Sequence, residues 1–305
     1  MSIYSNSSSN NSDIFANSQV NQYGRNQVMT NVVREFTHKY INIDTKFRDE
    51  YNNSNLANYT ITLPERITNV KSIIVCNMEI PVSWYNISAN LGNNFFTITY
   101  NGIVNPVIIP DGQYTSSLLA TAINTQIQSL PANYNNLTFL VVGNNSVFDC
   151  SSGEVTINFD TDNTGVFDKF NFKSKLGWIL GFRKQSYPIT TALTKSECFL
   201  DLRGPKYLYL IIDEFTQNNM NSFMSPQSGY LMNKNILARI TIDSTSFQFG
   251  SIIPATNLGY LLTDRRNYNG IIDIKKMNIQ LVNDIGRPMD LNGMDFSFCL
   301  EVTQE

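Results

Sequence analysis

Few residues in this chain are equipped for chemistry. His38 is the only histidine. A serine or cysteine nucleophile needs a base held beside it, and no Ser or Cys motif accompanies His38. Carboxylates cluster at Asp213-Glu214, Asp49-Glu50 and Asp160/Asp162. General acid–base work needs two carboxyls held in different environments within a cleft. These pairs fall where strand ends and loops are expected, and there solvated charge is the default. Asp160, Asp162 and Asn163 offer hard oxygens to Ca²⁺, but without the twelve-residue loop pattern they read as a turn. No glycine-rich phosphate loop joins a strand to a helix. Cys76, Cys150, Cys198 and Cys299 are too far apart for a metal-ligand spacing. The expectation is therefore no catalytic residue, no metal and no cofactor.

Two further sets concern binding. Lys169, Lys173, Lys175, Arg183 and Lys184 alternate with Phe170, Phe172, Trp178, Phe182 and Tyr187. Cations interleaved with aromatics can hold polyanions or sugar rings by charge and stacking. That makes Lys173, Trp178, Arg183 and Lys184 the candidates for a glycan or polyanion contact. The preferred alternative has Phe172, Trp178 and Phe182 packing a core while the lysines stay solvated. Arg48, Asp49, Arg203, Arg265 and Arg266 are candidate contacts between subunits, although exposed ion pairs add little stability.

These residues need elements to position them. The clearest is a helix in Ile109–Leu130. Asp111-Gly112 signals a turn, and Thr115 or Ser116 can accept an orphan N–H at the N-cap. Leu119, Ile123 and Ile127 form one apolar stripe, and Pro131 follows the last turn. Around it the chain reads as strands. Tyr40–Ile43, Tyr59–Leu63 and Val70–Ile80 come first. Then charge stops: between Ile80 and Phe148 the only charged residue is Asp111. This shift marks a boundary near Ser88–Asn94. The segment beyond it holds a hairpin, Phe95–Tyr100 with Pro106–Ile109, turning at Asn101-Gly102. The helix follows, then strands at Leu137–Val142, Val155–Phe159 and Val166–Phe172. A short helix over Ser174–Leu180 stops at Gly181. Strands resume at Cys198–Leu202, Tyr207–Phe215, Leu237–Ile242 with Phe247–Phe249, Ile271–Val282 and Met294–Val302. Outside the insert this makes eight, the number in a jelly roll of two four-stranded sheets. The fold class is mainly β: an eight-stranded antiparallel jelly-roll sandwich with an inserted α+β subdomain and an extended N-terminal arm. The divisions are 1–37 (arm), 38–90 (jelly roll, first part), 91–190 (inserted cap) and 191–305 (jelly roll, second part).

Composition narrows the class. Charged residues are 15% of the 305 and hydrophobic ones 42%, against about 25% charged in ordinary domains. Asn, Ser, Thr and Gln take the place of charge, as an AT-rich genome or extensive wet interfaces would produce. A net charge of −3 and a pI near 5.3 give no field for gripping nucleic acid. No apolar run reaches the ~20 residues of a membrane span, and no signal peptide is expected. Three of the four cysteines sit in apolar, strand-like contexts and read as buried free thiols, which fits a reducing compartment. Residues 1–34 are Ser-, Asn- and Gln-rich, and read as a disordered tail or as an arm ordered against neighbouring subunits.

Several stretches together resemble one family. They are Ile41–Tyr51 (INIDTKFRDEY), Ile61–Pro64 with Ile67–Val70, and Glu79–Pro81 with Trp84-Tyr85. Ile109–Thr115 with its helix, Leu176–Arg183, Tyr207–Phe215 and Met294–Phe298 follow in order. The chain is similar to the penton and minor capsid proteins of nucleocytoplasmic large DNA viruses over roughly residues 38–305. Thr45-Lys46 stands where related sequences often carry Ser-Arg before Phe-Arg. The resemblance implies a virion protein without an active site, made in the host cytoplasm. Five copies would close an icosahedral vertex, with the insert as an outward cap. The implied partners are further copies of itself, the major capsid protein and other minor capsid proteins, with no nucleic acid and no membrane insertion. A minor capsid (cement) protein elsewhere in the shell is the nearest alternative. A lectin-like glycan-binding β-sandwich is the alternative from another class.

Overall fold

The computed structural model describes residues 35–50, 57–131, 134–162, 164–216, 220, 223, 225 and 235–305. The N-terminal arm expected over 1–37 lies outside them except for its last residues. The chain is mainly β, with two α-helices among the described residues.

The larger unit is one antiparallel sheet. Its strands are β1 (Thr37–Asp44), β2 (Asn58–Pro81), β10 (Tyr207–Asp213), β11 (Ile236–Thr241), β12 (Ile252–Thr256), β13 (Leu261–Thr263), β14 (Arg266–Asn283) and β15 (Ser297–Gln304). The order is β1-β15-β2-β14-β10-β11-β13, and β12 also pairs with β2. Two long strands fold this sheet on itself. The first part of β2 pairs with β14, Tyr59 opposite Ile279. Its second part pairs with β15, Ile73 opposite Val302. The β2–β14 register, which begins at Arg266 opposite Ile73, shifts repeatedly between Ser72 and Thr62 of β2, opposite Asn267 to Lys276, with Asn69 and Gly270 at positive φ. Bulges bend strands and increase their twist. Alternation does the rest: Tyr59, Ile61 and Leu63 of β2 and Phe298, Leu300 and Val302 of β15 all point into one core. Leu208, Leu210 and Ile212 of β10 join the same core, although β10 and β15 are not neighbours in the sheet.

The smaller unit has its own core. It contains a four-stranded sheet, β4 (Ile103–Ile108), β3 (Phe95–Tyr100), β7 (Val155–Asn158) and β8 (Ser186–Ile189). A three-stranded sheet joins β5 (Leu137–Val142), β6 (Asn145–Cys150) and β9 (Thr194–Phe199). Helix α1 (Ser116–Gln128) is capped by Thr115, whose side chain accepts from the Leu118 N–H. Leu119, Ile123 and Ile127 are fully buried. They meet Phe96, Phe139, Phe148, Phe159 and Phe182 in a core separate from that of the large sheet.

Four expectations are corrected. Tyr59–Leu63 and Val70–Ile80 are one 24-residue strand, because bulged pairing carries it past the polar Pro64–Arg66 break. Cys198–Leu202, assigned to the larger sheet, is instead β9 at Thr194–Phe199 and pairs with β6 of the insert. Leu200 and Leu202 pack on the insert core, so the insert's packing extends past residue 190. Val166–Phe172 is not a strand: Lys169–Ser174 winds into a 3₁₀ turn. Of the cysteines, Cys150 alone is buried, Cys76 and Cys299 are half-buried and Cys198 is exposed.

Candidate functional site

A cleft of about 680 Å³ opens where the insert meets the large sheet. Its insert wall grows from a tight local fold. The 3₁₀ turn Lys169–Ser174 leads into helix α2 (Leu176–Ile179). Lys175 between them turns inward, its Nζ donating to the Thr161 carbonyl at 2.6 Å and pairing with Asp168 at 3.0 Å. Gly177 packs so close to Phe159 that a Cβ would lie 2.3 Å from its ring. Gly181 ends the turn at φ +92°, where a Cβ would sit 2.1 Å from the Cys198 carbonyl oxygen. Only glycine meets both demands.

This fold sets the side chains of the wall. The Arg183 guanidinium lies 4.0 Å over the Trp178 ring. Its Nη1 donates to the Trp178 and Phe182 carbonyls at 2.9 and 3.0 Å. Phe172 meets Trp178 edge-on at 5.8 Å. Phe182 is buried against Phe148, Phe159 and Tyr187. The Tyr187 hydroxyl accepts from the Arg183 and Lys184 N–H groups and donates to Glu197 at 2.7 Å. Burial pushes this phenol up to about 12, and the bond to Glu197 adds to the shift.

The opposite wall comes from the loops before β10 and after β14, with Lys206, Tyr207 and Asp284. The Lys206 N–H donates to Asp284 at 3.3 Å, yet burial raises the Asp284 carboxyl above its ordinary range. Asp201 is held below its ordinary range by Arg203, which binds it through two nitrogens at 2.8 and 2.7 Å. The cleft thus presents Lys173, Arg183 and Lys206 beside Asp201 and Asp284. It can hold a polar or zwitterionic group. Its mixed charge gives no preference for a polyanion.

Of the sequence candidates, Lys173, Trp178 and Arg183 meet in this cleft, whereas Lys184 is exposed outside its lining. The cleft residues Asp201, Lys206 and Asp284 were not candidates, and no local signal marks them.

The proposed intersubunit residues are scattered. Arg203 is spent on Asp201. Asp49 accepts from the Thr62 N–H and hydroxyl at 2.8 and 2.7 Å. Arg265 bonds Glu301 at 2.7 Å and Thr303 at 2.6 Å. Two of them have side chains buried within the chain. The Arg48 side chain is 8% exposed and donates to the Thr45 carbonyl at 3.0 Å. Arg266 is 2% exposed and binds Glu214, also buried, at 2.7 Å. Both side chains are engaged within the chain.

The remaining candidates are also dispersed. His38 lies 3.2 Å from Glu301. Asp162 closes its turn by accepting from Thr164 and Val166; Asn163 lies outside the described residues. Among the described residues no group of three or more His, Cys, Asp or Glu is placed to hold a metal ion.

No family model and no curated protein matches the sequence. Among solved structures, the crystal structure of the selenomethionine-labelled mavirus penton protein is similar at 9% identity and a TM-score of 0.44, covering 88% of this chain and 99% of that one.

Proposed function

We propose that this chain is a structural subunit of a viral capsid, of the penton type, and not an enzyme. On this reading the folded eight-stranded sheet is a jelly roll, and five copies close a ring at an icosahedral vertex. The insert then caps the outside, and the major and minor capsid proteins are the neighbours. The observation that supports it is the state of the sheet edges. Among the described residues β1, β12 and β13 each pair on one side only. Large apolar side chains stand exposed along all three: Tyr40, Ile252 and Leu262 at 64, 60 and 58%. The open edges of β1 and β13 template association, and ring closure removes them, whereas β12, blocked to strand addition by Pro254, contributes only its apolar surface. The order of the resembling stretches supports the same reading.

The test is the native mass of the full chain in solution and by particle imaging. Five copies of the 34.6 kDa chain are expected, in a ring. A monomer at every concentration overturns the penton reading in favour of a minor capsid protein. The lectin alternative gains nothing from the cleft. Arg183 covers one face of Trp178 and Phe172 meets the ring at right angles, which leaves at most one face for a sugar to stack on.

A further inference from the structure

A second hollow, of about 530 Å³, lies at one end of the layer β1-β15-β2-β12. The register shows what faces it. Asp44 sits opposite Ser297, Ser297 opposite Glu79 and Glu79 opposite Pro254. Their neighbours Ile43, Phe298, Met78 and Ile253 point into the core, so this row faces outward. Phe249, Ile252 and Met294 form an apolar wall, exposed to 48, 60 and 53%. Tyr85 stacks on Phe249 at 5.9 Å and fixes that wall.

The charge of the hollow has one sign. Asp44, Glu79 and Asp295 line it, and no lysine or arginine does. Two of these carboxylates have cations nearby: Lys46 lies 2.8 Å from Asp44, and Arg48 lies 3.8 Å from Asp295. Glu79 differs. Its oxygens accept from neutral groups, the Ser297 hydroxyl at 2.7 Å and the Asn77 amide at 3.3 Å. Among the described residues no cation is paired with it.

We propose that this hollow docks a short segment of a partner protein carrying a lysine or arginine next to a large apolar side chain. The cation meets Glu79, and the apolar group meets Phe249, Ile252 and Met294. The stem of such a cation packs on apolar surface while its head keeps an ionic partner. Strand addition is a poor alternative at this edge, because Pro254 in the middle of β12 has no N–H to donate. A second copy inserting its most exposed knob is also disfavoured. Leu258 is fully exposed but is flanked by Asn257 and Gly259. It would cover Glu79 without supplying a counter-charge, and that desolvation is costly. The junction cleft, by comparison, mixes both signs and selects no partner charge.

The test uses the full-length chain and three synthetic octapeptides that share one apolar pattern and carry lysine, norleucine or glutamate at the centre. Binding is read by calorimetry, and variant folding by circular dichroism. The lysine peptide is expected to bind, about tenfold more weakly to Glu79→Gln, and more weakly again as salt rises. Ile252→Ser, at an exposed position, is expected to weaken it without unfolding the chain. Failure of the lysine peptide to bind at millimolar concentration overturns the proposal. So does equal binding of the norleucine or glutamate peptide, or an unchanged affinity in Glu79→Gln. With Leu258 replaced by its diazirine analogue, whose photolysis releases N2 and leaves a carbene that inserts into a nearby C–H bond, a cross-link from position 258 of one copy to Ile252 of another gives the hollow to a second copy and overturns it too. The native mass of the same samples is read separately, so the docking result stands or falls apart from the capsid reading.

Discussion

Replacing Arg266 by methionine tests where the buried ion pair of the large sheet acts. Arg266 begins β14, and its Nη1 donates to Glu214 at 2.7 Å and to the Ile212 carbonyl at 2.8 Å. Its Nη2 reaches the Asn235 carbonyl at 2.6 Å, and the Tyr268 hydroxyl donates to Glu214 at 2.9 Å. One guanidinium thus ties the end of β10, the start of β11 and β14. Methionine preserves much of the volume but leaves Glu214 buried with a phenol as its remaining named donor. Breaking a buried pair from one side costs about 3–5 kcal/mol. At about 2–4 °C per kcal/mol for a domain of this size, Tm falls by about 6–20 °C. Adding Glu214→Gln removes the stranded charge and restores about 2 kcal/mol of that loss. Urea unfolding followed by tryptophan fluorescence measures this, since Trp84 lies in the large core. A loss below about 1 kcal/mol refutes the reasoning. A loss that appears only at concentrations where copies associate puts Arg266 at a subunit contact after all.

Thr115→Ala removes the N-cap of α1 and lowers stability by about 1 kcal/mol, measured by urea unfolding. Asn124→Ala removes both hydrogen bonds that an amide makes to Phe139, at 2.8 Å each; the cost is about 2–3 kcal/mol, with protection of the Phe139 amide from exchange lost. Gly177→Ala drives a Cβ into the Phe159 ring and costs about 1–3 kcal/mol, visible as a lower Tm. Asp284 has a raised folded pKa, so the folded state holds its proton more tightly than the unfolded state. Its ionisation therefore removes stability as pH rises out of the ordinary carboxylate range. Asp284→Asn is expected to be more stable than the parent at pH 7 and equal to it at pH 3, as thermal melts at the two pH values will show.

What the sequence revealed was local. The Asn101-Gly102 hairpin turn falls between β3 and β4, with both residues at positive φ. The cap and stripe of α1, the span of β5 and the stop at Gly181 also depend on neighbours in sequence. The failures required distant partners. β2 reads as two strands because Pro64-Glu65-Arg66 breaks its alternation, yet β14 and β15 supply pairing along its length. Val166–Phe172 has the texture of a strand, but Lys175 is drawn inward by Asp168 and Thr161, and the chain winds over Lys169–Ser174 before it. The same division applies to the sites. Lys173, Trp178 and Arg183 lie within eleven consecutive positions and were visible together. The acidic hollow draws Asp44, Glu79, Ile252 and Met294 from four distant segments, and no window of sequence contains it.

The abundance of asparagine acquires a structural reason. An amide offers a donor and an acceptor on one short stem, so it can replace a missing backbone partner on either side. Asn124 does this for β5, which pairs only with β6 among the described residues. It gives Phe139 the donor and the acceptor that a further strand would have supplied. Asn145 bridges to the Ser196 and Cys198 carbonyls at 3.1 Å each, where the β6–β9 register shifts. Asn86, 5% exposed, donates to the Tyr114 and Leu202 carbonyls and accepts from the Tyr114 N–H. It thereby ties the chain leaving the large sheet to the chain returning to it. Charged side chains could not do this work, because each carries only donors or only acceptors and desolvates at greater cost. The insert carries one charge before Asp149, Asp111, and its two small sheets have many strand ends and open edges to satisfy. Buried amides satisfy them without fixing charges inside, and codon bias alone would not place them at these joints.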